Sequence, residues 1–474
     1  MITLAYPAFS RAQEGDGRHS KSDSSGSAYL CPQKPSSSIQ TPLEMIPHLP
    51  EDIFIAIFQY LSLRDVLSMR RVCKSFKDLT HLRGLWILLL RTEIWDRNIP
   101  TPHLDLEHLT AAQIEEFIAH SLLLHRNWTS ASPVVRLRRH VNVATPRARI
   151  TSLHFITMEG RSCLLSFSLT SRVEPRTLTV ECWDLSSLRC KARRTVQWFG
   201  GYAVNSDPSS TGLMAIRTPH VEVLAFDPAA PSPDSAFITL ITLSVAAKSV
   251  LTLAGTTMIF RAMNNALIIL DISRPLYAAR IEDRQPLLPP NQPDSFEAII
   301  QDEYAIIMRP KTLALLFPWP VNLLHHYVLR PNDSYLPPIR DNIAITSSNL
   351  PYHFPPVLSQ TIASPVRLFA ITDMALGPYG TAVWIDSHTE DFYHQGDVGQ
   401  RLAGLMLNPV VDERQDAHID GQAADQNTQT AGATIVFGVH ETDDWNRVAI
   451  DEEGGRIAVG SVNGEIMIDD YVQR

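Results

Sequence analysis

Residue types that could carry out catalysis occur in this chain, but their spacing matches none of the common catalytic motifs. The sequence contains no P-loop, no Gly-x-Gly-x-x-Gly and no Gly-x-Ser-x-Gly. His325 and His326 are adjacent, and neighbours in a strand point to opposite faces, so the pair is poorly placed to share a metal ion. The acidic run at 412–420 lacks the spacing of an EF-hand loop. We therefore expect no catalytic residues, no metal site and no cofactor, and a protein that is not an enzyme.

Charge and cysteine content narrow the classes of partner. The 474 residues carry a net charge of −9, and the pI is about 6.0, which argues against nucleic acid or an anionic membrane as the main partner. The densest basic stretch, Arg136–Arg149, has no interleaved aromatic residues. Five cysteines without a Cys-x-x-Cys pair predict neither a disulfide framework nor a zinc site.

The first residues of the chain and its apolar runs indicate where the protein is expected to be located. The first residues lack the basic lead and long apolar core of a signal peptide. The longest apolar run, Leu85–Leu90, is too short to span a bilayer. We expect the cytoplasm, the nucleus or both.

The stretch 45–91 has the pattern of several short helices. Leu49-Pro50 precedes Glu51 and Asp52, and proline followed by acids suits a first helical turn. Ile53, Ile57 and Leu61 recur every four residues, as on one face of a helix. Ser62 is a candidate N-cap for a second helix, and apolar residues mark a third around Phe76 and a fourth around Trp86. A module this small cannot bury so much apolar surface alone, which predicts a partner or packing on the rest of the chain.

The order of these residues resembles the F-box family. The resemblance rests on the Leu-Pro start, Ile-x-x-x-Ile-Phe-x-Tyr-Leu, Asp-Val-Leu, Val-Cys-Lys-Ser-Phe and Leu-Trp, and Phe76 stands where many members carry Trp. It implies docking onto a Skp-type adaptor protein and, through it, onto a cullin-based ubiquitin ligase. The residues expected at the adaptor interface, some of which must instead form the module's own core, are Leu49, Pro50, Ile53, Ile57, Leu67, Val72, Cys73, Phe76 and Trp86.

The segments on either side of this module differ in character. Residues 1–44 are rich in Ser, Gly, Pro and Gln from residue 10 onward and are predicted to be a disordered tail. Residues 92–132 are predicted to be a helical linker, because Thr110 and Gln113 form a capping-box pattern that opens a helix. We expect this helix to be a rigid connector, with Trp128 an anchor at its junction with the next domain.

Residues 133–474 predict an all-β domain, because short apolar segments alternate there with turn residues. Strand-then-turn endings occur at Asp184, Asp227, Asp271 and Pro318, about 40–45 residues apart as in propeller blades, and again at Asp386 and Asp469. The segment Thr179–Leu185 resembles the strand that ends a WD-repeat blade. The domain is thus predicted to be propeller-like with about six to seven blades, and 331–356 and 412–432 to be loops. A β-sandwich or two smaller β domains remained the alternative.

Together these features predict helices followed by a β-propeller, and a function in recruitment. The expected role is a non-catalytic substrate receptor of an SCF-type ubiquitin ligase, with the F-box on the adaptor and the propeller on an unidentified target protein. The alternative is an F-box interaction scaffold that delivers no target. A propeller hydrolase would need a set of convergent acids or a metal site, which the sequence does not display.

Overall fold

The computed structural model describes residues 51–58, 60–101, 106–130, 132–158, 160–170, 176–197, 200–264, 266–273, 278–281, 297–301, 304–308, 321–328, 357–365, 373–387, 399–406 and 435–472. The predicted tail 1–44 and the predicted loops at 331–356 and 412–432 lie outside these residues. The chain divides into two compact units, Met1–Phe54 and Ile55–Arg474. In the first unit the described residues are 51–54, which belong to the first helix.

The N-terminal part is helical. Its helices are α1 (Glu51–Phe58), α2 (Leu63–Met69), α3 (Lys74–Leu79), α4 (Arg83–Leu90), which continues as a π-helical turn over Arg91–Trp95, and α5 (Ala111–Trp128), preceded by a short 3₁₀ turn over Leu106–His108. The predicted caps are present. The Ser62 hydroxyl accepts a hydrogen bond from the Asp65 amide, and Thr110 and Gln113 make both bonds of a capping box.

The rest of the described chain consists of strands in seven antiparallel sheets. The first three sheets in chain order are β2 (Arg149–Met158), β3 (Arg161–Leu169), β4 (Thr177–Asp184) and β5 (Cys190–Gln197); β6 (Tyr202–Val204), β7 (Met214–Arg217), β8 (Val221–Phe226) and β9 (Phe237–Leu243); and β10 (Ala247–Ala254), β11 (Thr257–Ala262), β12 (Leu267–Asp271) and β13 (Ala278–Ile281). Two strand pairs follow, β14 (Glu297–Gln301) with β15 (Tyr304–Met308), and β16 (Val321–Val328) with β17 (Val357–Pro365).

The last two sheets bring the two ends of the β region together. One is β18 (Met374–Leu376), β19 (Thr381–Ser387), β20 (Gln400–Met406) and β21 (Ile435–His440). The other, which we call the closing sheet, joins β22 (Trp445–Asp451), β23 (Arg456–Ser461) and β24 (Glu465–Asp470) to β1 (Leu137–Asn142). The first strand of the β region thus completes the last sheet.

This topology is propeller-like. Each four-stranded sheet except the closing one is a meander of four consecutive strands, as in a propeller blade. The first strands of several sheets lie against one another: β2 contacts β22, β6 contacts β10, β10 contacts β14, and β18 contacts β22. The predicted fold class, helices followed by a propeller-like β domain, is confirmed, and the seven sheets of the described residues agree with the predicted six to seven blades.

At four of the strand endings predicted from the sequence, the structure has the third strand of a four-stranded sheet. Asp184, Asp271 and Asp469 lie in third strands of their sheets, and Asp227 directly follows one. Asp386 also lies at the end of a strand, one residue before the last residue of β19, but β19 is the second strand of its sheet. Here the Asp386 carboxylate accepts two hydrogen bonds from Arg401 on the next strand, at 2.9 and 2.8 Å.

Ion pairs hold β1 in the closing sheet. Arg138 makes a bidentate contact with Asp469 at 2.7 and 2.8 Å, and Arg139 contacts Asp470. Arg456 contacts the other oxygen of Asp470 at 2.8 Å. Asp469 and Asp470 are the last two residues of β24, and they neutralise part of the basic stretch that begins at Arg136.

Apolar layers fill the space between neighbouring sheets. Beside one layer lies a half-buried histidine, whose ring meets Phe167 edge to face while Phe167 stacks on Tyr202 at 3.9 Å. Burial lowers the pKa of this residue, His154, to about 4. The Ser152 hydroxyl lies 2.7 Å from its Nε2 atom.

Because the pKa of His154 is lowered on folding, the unfolded chain binds more protons between pH 6.5 and about 4. His154 therefore contributes stability that is present above pH 6.5 and is lost as the pH falls toward 4. The loss is up to about 3 kcal/mol, at about 1.4 kcal/mol per unit of pKa. We expect His154→Gln to flatten the dependence of the free energy of unfolding on pH in this window. An unchanged slope in urea denaturation would contradict the assignment.

Candidate functional site

The helical module has its own apolar core. Phe58, Val66, Leu85, Leu89 and Leu90 are at most 2% exposed. Helix α1 separates its apolar residues into two sets, because Phe54 and Phe58 are buried whereas Ile53 and Ile57 are exposed. The four-residue apolar spacing in the sequence therefore marks the exposed face of this helix, and the phenylalanines mark its buried face.

The candidate adaptor-binding residues fall into three groups by exposure. Ile53, Ile57 and Val72 are 42%, 47% and 59% exposed. Leu67, Cys73 and Phe76 are half-buried. Leu49 and Pro50 lie outside the described residues.

Trp86 is buried within the helical module. It is 1% exposed, and its indole N–H donates a hydrogen bond to the Thr80 carbonyl at 2.8 Å. Trp86 is therefore one of the candidates that, as the sequence analysis allowed, form the module's own core. A large aromatic residue at this point of a helix fills the core of the module.

An arginine that the sequence reading missed joins this core to helix α5. Arg70 donates to the Thr80 hydroxyl through Nε at 2.9 Å, and its guanidinium lies 5.2 Å from the centre of the Trp86 ring. The same guanidinium makes two hydrogen bonds to the Glu115 carboxylate, at 2.6 and 2.7 Å. Planar arginine suits a bidentate carboxylate contact and an aromatic face together. Nothing local in the sequence pairs residues 45 positions apart.

We expect Arg70→Met to lower the free energy of unfolding by about 1–3 kcal/mol, because it removes several hydrogen bonds to charged or buried groups. Glu115→Gln should cost less, since it keeps an acceptor for Arg70. The two effects should be non-additive by about 0.5–3 kcal/mol in a double-mutant cycle. Additive effects in chemical denaturation would show that the two side chains do not interact in solution.

Helix α5 is anchored in the β domain at its C-terminal end. Leu124 and Trp128, each 1% exposed, belong to one apolar cluster with residues of β19–β24. The Trp128 ring makes edge-to-face contacts with Phe437 and Tyr471, with ring centres 5.9 and 6.0 Å apart. Trp128 is thus the anchor at the junction, as the sequence suggested.

Polar contacts and a close approach fix the same helix end. The Asn127 side-chain amide donates to the carbonyls of Val134 and Tyr471, both at 2.9 Å. Gly455 has a φ of +65°, and a Cβ there would lie 2.7 Å from the nearest Leu124 methyl group. Only glycine suits this position, which lets the turn between β22 and β23 lie directly against α5.

A second contact joins the segment before α5 to the β domain. The Tyr379 hydroxyl donates to the Thr101 carbonyl at 2.9 Å. The buried Glu452 carboxylate accepts from the amides of Tyr379 and Thr381 at 2.6 and 2.8 Å, and so fixes the turn that carries Tyr379. Burial raises the pKa of the Glu452 carboxyl, and the hydrogen bonds that it accepts oppose this shift. Two separate contacts therefore attach the helical segment to the β domain.

The described residues contain no group of three or more His, Cys, Asp or Glu side chains that could hold a metal ion. His325, His326 and the acidic run at 412–420 are not part of that statement, because their side chains are outside the described set. No helix in the described ranges is long and apolar enough to cross a membrane.

Known proteins resemble different parts of this chain. Residues 46–91 match the family model described as F-box-like, so the resemblance seen in the sequence is confirmed for this segment. No curated protein matches the chain. A similar solved structure is the β-propeller domain of Cps50 (Swd1) from Myceliophteria thermophila, at 10% identity and a TM-score of 0.36, over 70% of this chain and 98% of that one. The propeller-like architecture stated above rests on the sheet topology of this chain.

Proposed function

We propose that this protein is a non-catalytic substrate receptor of an SCF-type ubiquitin ligase. In this proposal the F-box-like helices bind a Skp-type adaptor, which links the chain to a cullin, and the propeller-like domain binds a target protein. The protein would act in the cytoplasm, the nucleus or both. It would transfer no ubiquitin itself, and would raise the concentration of target lysines near the transferring enzyme.

One observation carries the adaptor part of the proposal. Within a segment that matches the F-box-like family, large apolar side chains are exposed, among them Ile57 and Val72. Ile53 and Ile57 lie one turn apart on the same face of α1, and exposed apolar side chains that share a face mark surfaces that bind proteins. Helix-in-groove docking uses such side chains as anchors.

The connection to the β domain supports delivery of a bound target in a fixed geometry. Arg70 and Glu115 tie the module to α5, and Trp128 and Asn127 tie α5 to the closing sheet and its neighbour. A receptor whose two binding parts are joined in this way holds its target at a defined distance from the adaptor. A flexible connection would lower the effective concentration of target near the enzyme.

The proposal predicts that Leu49→Ala combined with Pro50→Ala abolishes co-purification of a Skp-type adaptor. The physical reason is loss of apolar contact at the start of the F-box-like segment. Truncation of a buried leucine typically costs about 2–5 kcal/mol, and about 2.7 kcal/mol weakens binding a hundredfold. Affinity purification of the full chain tests it. Retained adaptor, with an unchanged melting temperature, would overturn the adaptor part of the proposal.

The second candidate function is an interaction scaffold that binds the adaptor and delivers no target. The same exposed surface favours it equally. The two differ in one outcome, namely whether a protein bound to the β domain gains ubiquitin when the adaptor and cullin are present.

A further inference from the structure

A groove lies between the outermost strand of the β18–β21 sheet and the closing sheet. It encloses about 160 Å³. An apolar cavity of about 150 Å³ can hold a molecule the size of benzene, so this groove has room for one large side chain. Its apolar lining includes Val439, which is 48% exposed, together with Val459 and Met467. The apolar part of the groove therefore opens to solvent through Val439.

The charged residues at the groove differ in whether a side chain of opposite charge lies against them. The positive charge of Arg138 is already met by Asp469, at 2.7 and 2.8 Å. The groove carboxylates are Asp444 and Glu465. Among the described residues, Asp444 contacts His440 at 2.5 Å and accepts from Thr442 at 2.9 Å and from Asn463 at 3.4 Å, and Glu465 lies 2.7 Å from His140. Within the described part of the chain, neither of these carboxylates at the edge of the apolar groove has an arginine or lysine partner.

We propose that this groove binds the side chain of an arginine or lysine that projects from an extended segment of a partner protein. The methylene stem lies along Val439, Val459 and Met467, and the cationic head stays at the solvent-facing edge near Asp444 and Glu465. Long basic side chains place their stems on apolar surface and keep the charge in water in this way. An acidic side chain would meet two like charges, and a purely apolar one would remove water from both carboxylates without adding an opposite charge.

The inference concerns the β domain and does not depend on adaptor binding. Binding of a basic side chain in this groove can be tested whether or not the protein works in a ubiquitin ligase.

The probe is N-acetyl-arginine amide, added to the full chain labelled with ¹³C at its methionine methyl groups. Met467 reports from inside the groove, and its resonance is identified with Met467→Leu. We expect a saturable shift of this resonance, and binding at least about tenfold weaker for N-acetyl-citrulline amide, which has nearly the same shape without the charge. Tenfold corresponds to about 1.4 kcal/mol.

Glu465→Gln is the informative variant, because Glu465 is half-exposed and glutamine has nearly the same shape without the charge. It should weaken arginine binding several-fold, and the double variant with Asp444→Asn should remove it. Glu441→Gln, an exposed carboxylate beside the groove, is the matched control and should change nothing. Equal affinity for the arginine and citrulline probes, an unmoved Met467 resonance, or full affinity in Glu465→Gln with unchanged methionine spectra elsewhere would each overturn the proposal.

Discussion

Replacement of Ile57 and Val72 by glutamate is expected to abolish binding of a Skp-type adaptor without unfolding the protein. Both side chains are about half exposed, so charge at these positions costs little in the free chain, and surface substitutions usually change stability by less than about 0.5 kcal/mol. In a complex the same charges would be buried without partners, at several kcal/mol each. We therefore expect the dissociation constant to rise at least about a hundredfold, measured by titration calorimetry with purified adaptor.

The matched control is an exposed leucine outside the F-box-like segment. Leu123 on α5 is 55% exposed, and Leu123→Glu should leave the adaptor affinity unchanged. Equal loss of affinity in the Leu123 variant would mean that added charge, rather than the site of the change, causes the loss. Unchanged affinity in the Ile57 and Val72 variant would exclude these side chains from the interface.

Trp128→Ala is expected to cause the largest loss of stability among the substitutions considered. It removes a fully buried indole from the cluster that joins α5 to the β domain, and such truncations cost about 3–5 kcal/mol. Edge-to-face contacts with Phe437 and Tyr471 would be lost with it. We expect a lower denaturant midpoint, together with faster hydrogen exchange of the α5 amides.

Trp95→Ala provides the comparison, because Trp95 is 43% exposed and lies in the same helical region. It should change the free energy of unfolding much less than Trp128→Ala. Similar losses for both tryptophans would contradict the anchoring role of Trp128. Slow α5 exchange retained in Trp128→Ala would show that the polar contacts of Asn127 suffice to hold the helix.

Local signals in the sequence predicted the helical half well. The caps at Ser62 and Thr110 form as expected, because each depends only on residues three positions apart. The exposure of individual side chains in these helices could be predicted only in part. The four-residue spacing that marks Ile53 and Ile57 looks like a buried face, and the choice between that face and the adjacent phenylalanines depends on which elements pack against α1.

Contacts distant in sequence were not predictable. The Arg70–Glu115 pair, the attachment of β1 to β24 and the contact of Glu452 with the Tyr379 turn join segments that the local pattern leaves unrelated. The strand-ending repeat marks a third strand at Asp184, whereas at Asp386 the same apolar-then-acid signature marks the end of a second strand, because the order of strands in a sheet depends on contacts distant in sequence. A single sequence gives the residues of each strand, but little information on the strand with which it pairs.

The most direct test of the central claim compares wild type with the Ile57 and Val72 double variant in cells. Proteins that co-purify with each form would be identified, and the ubiquitin attached to each bound protein would be measured. If the chain is a substrate receptor, both forms bind the same target through the β domain, and the target carries ubiquitin with wild type and accumulates unmodified with the variant. If wild type binds adaptor and cullin, yet no bound protein differs in ubiquitin between the two forms, the receptor role is contradicted.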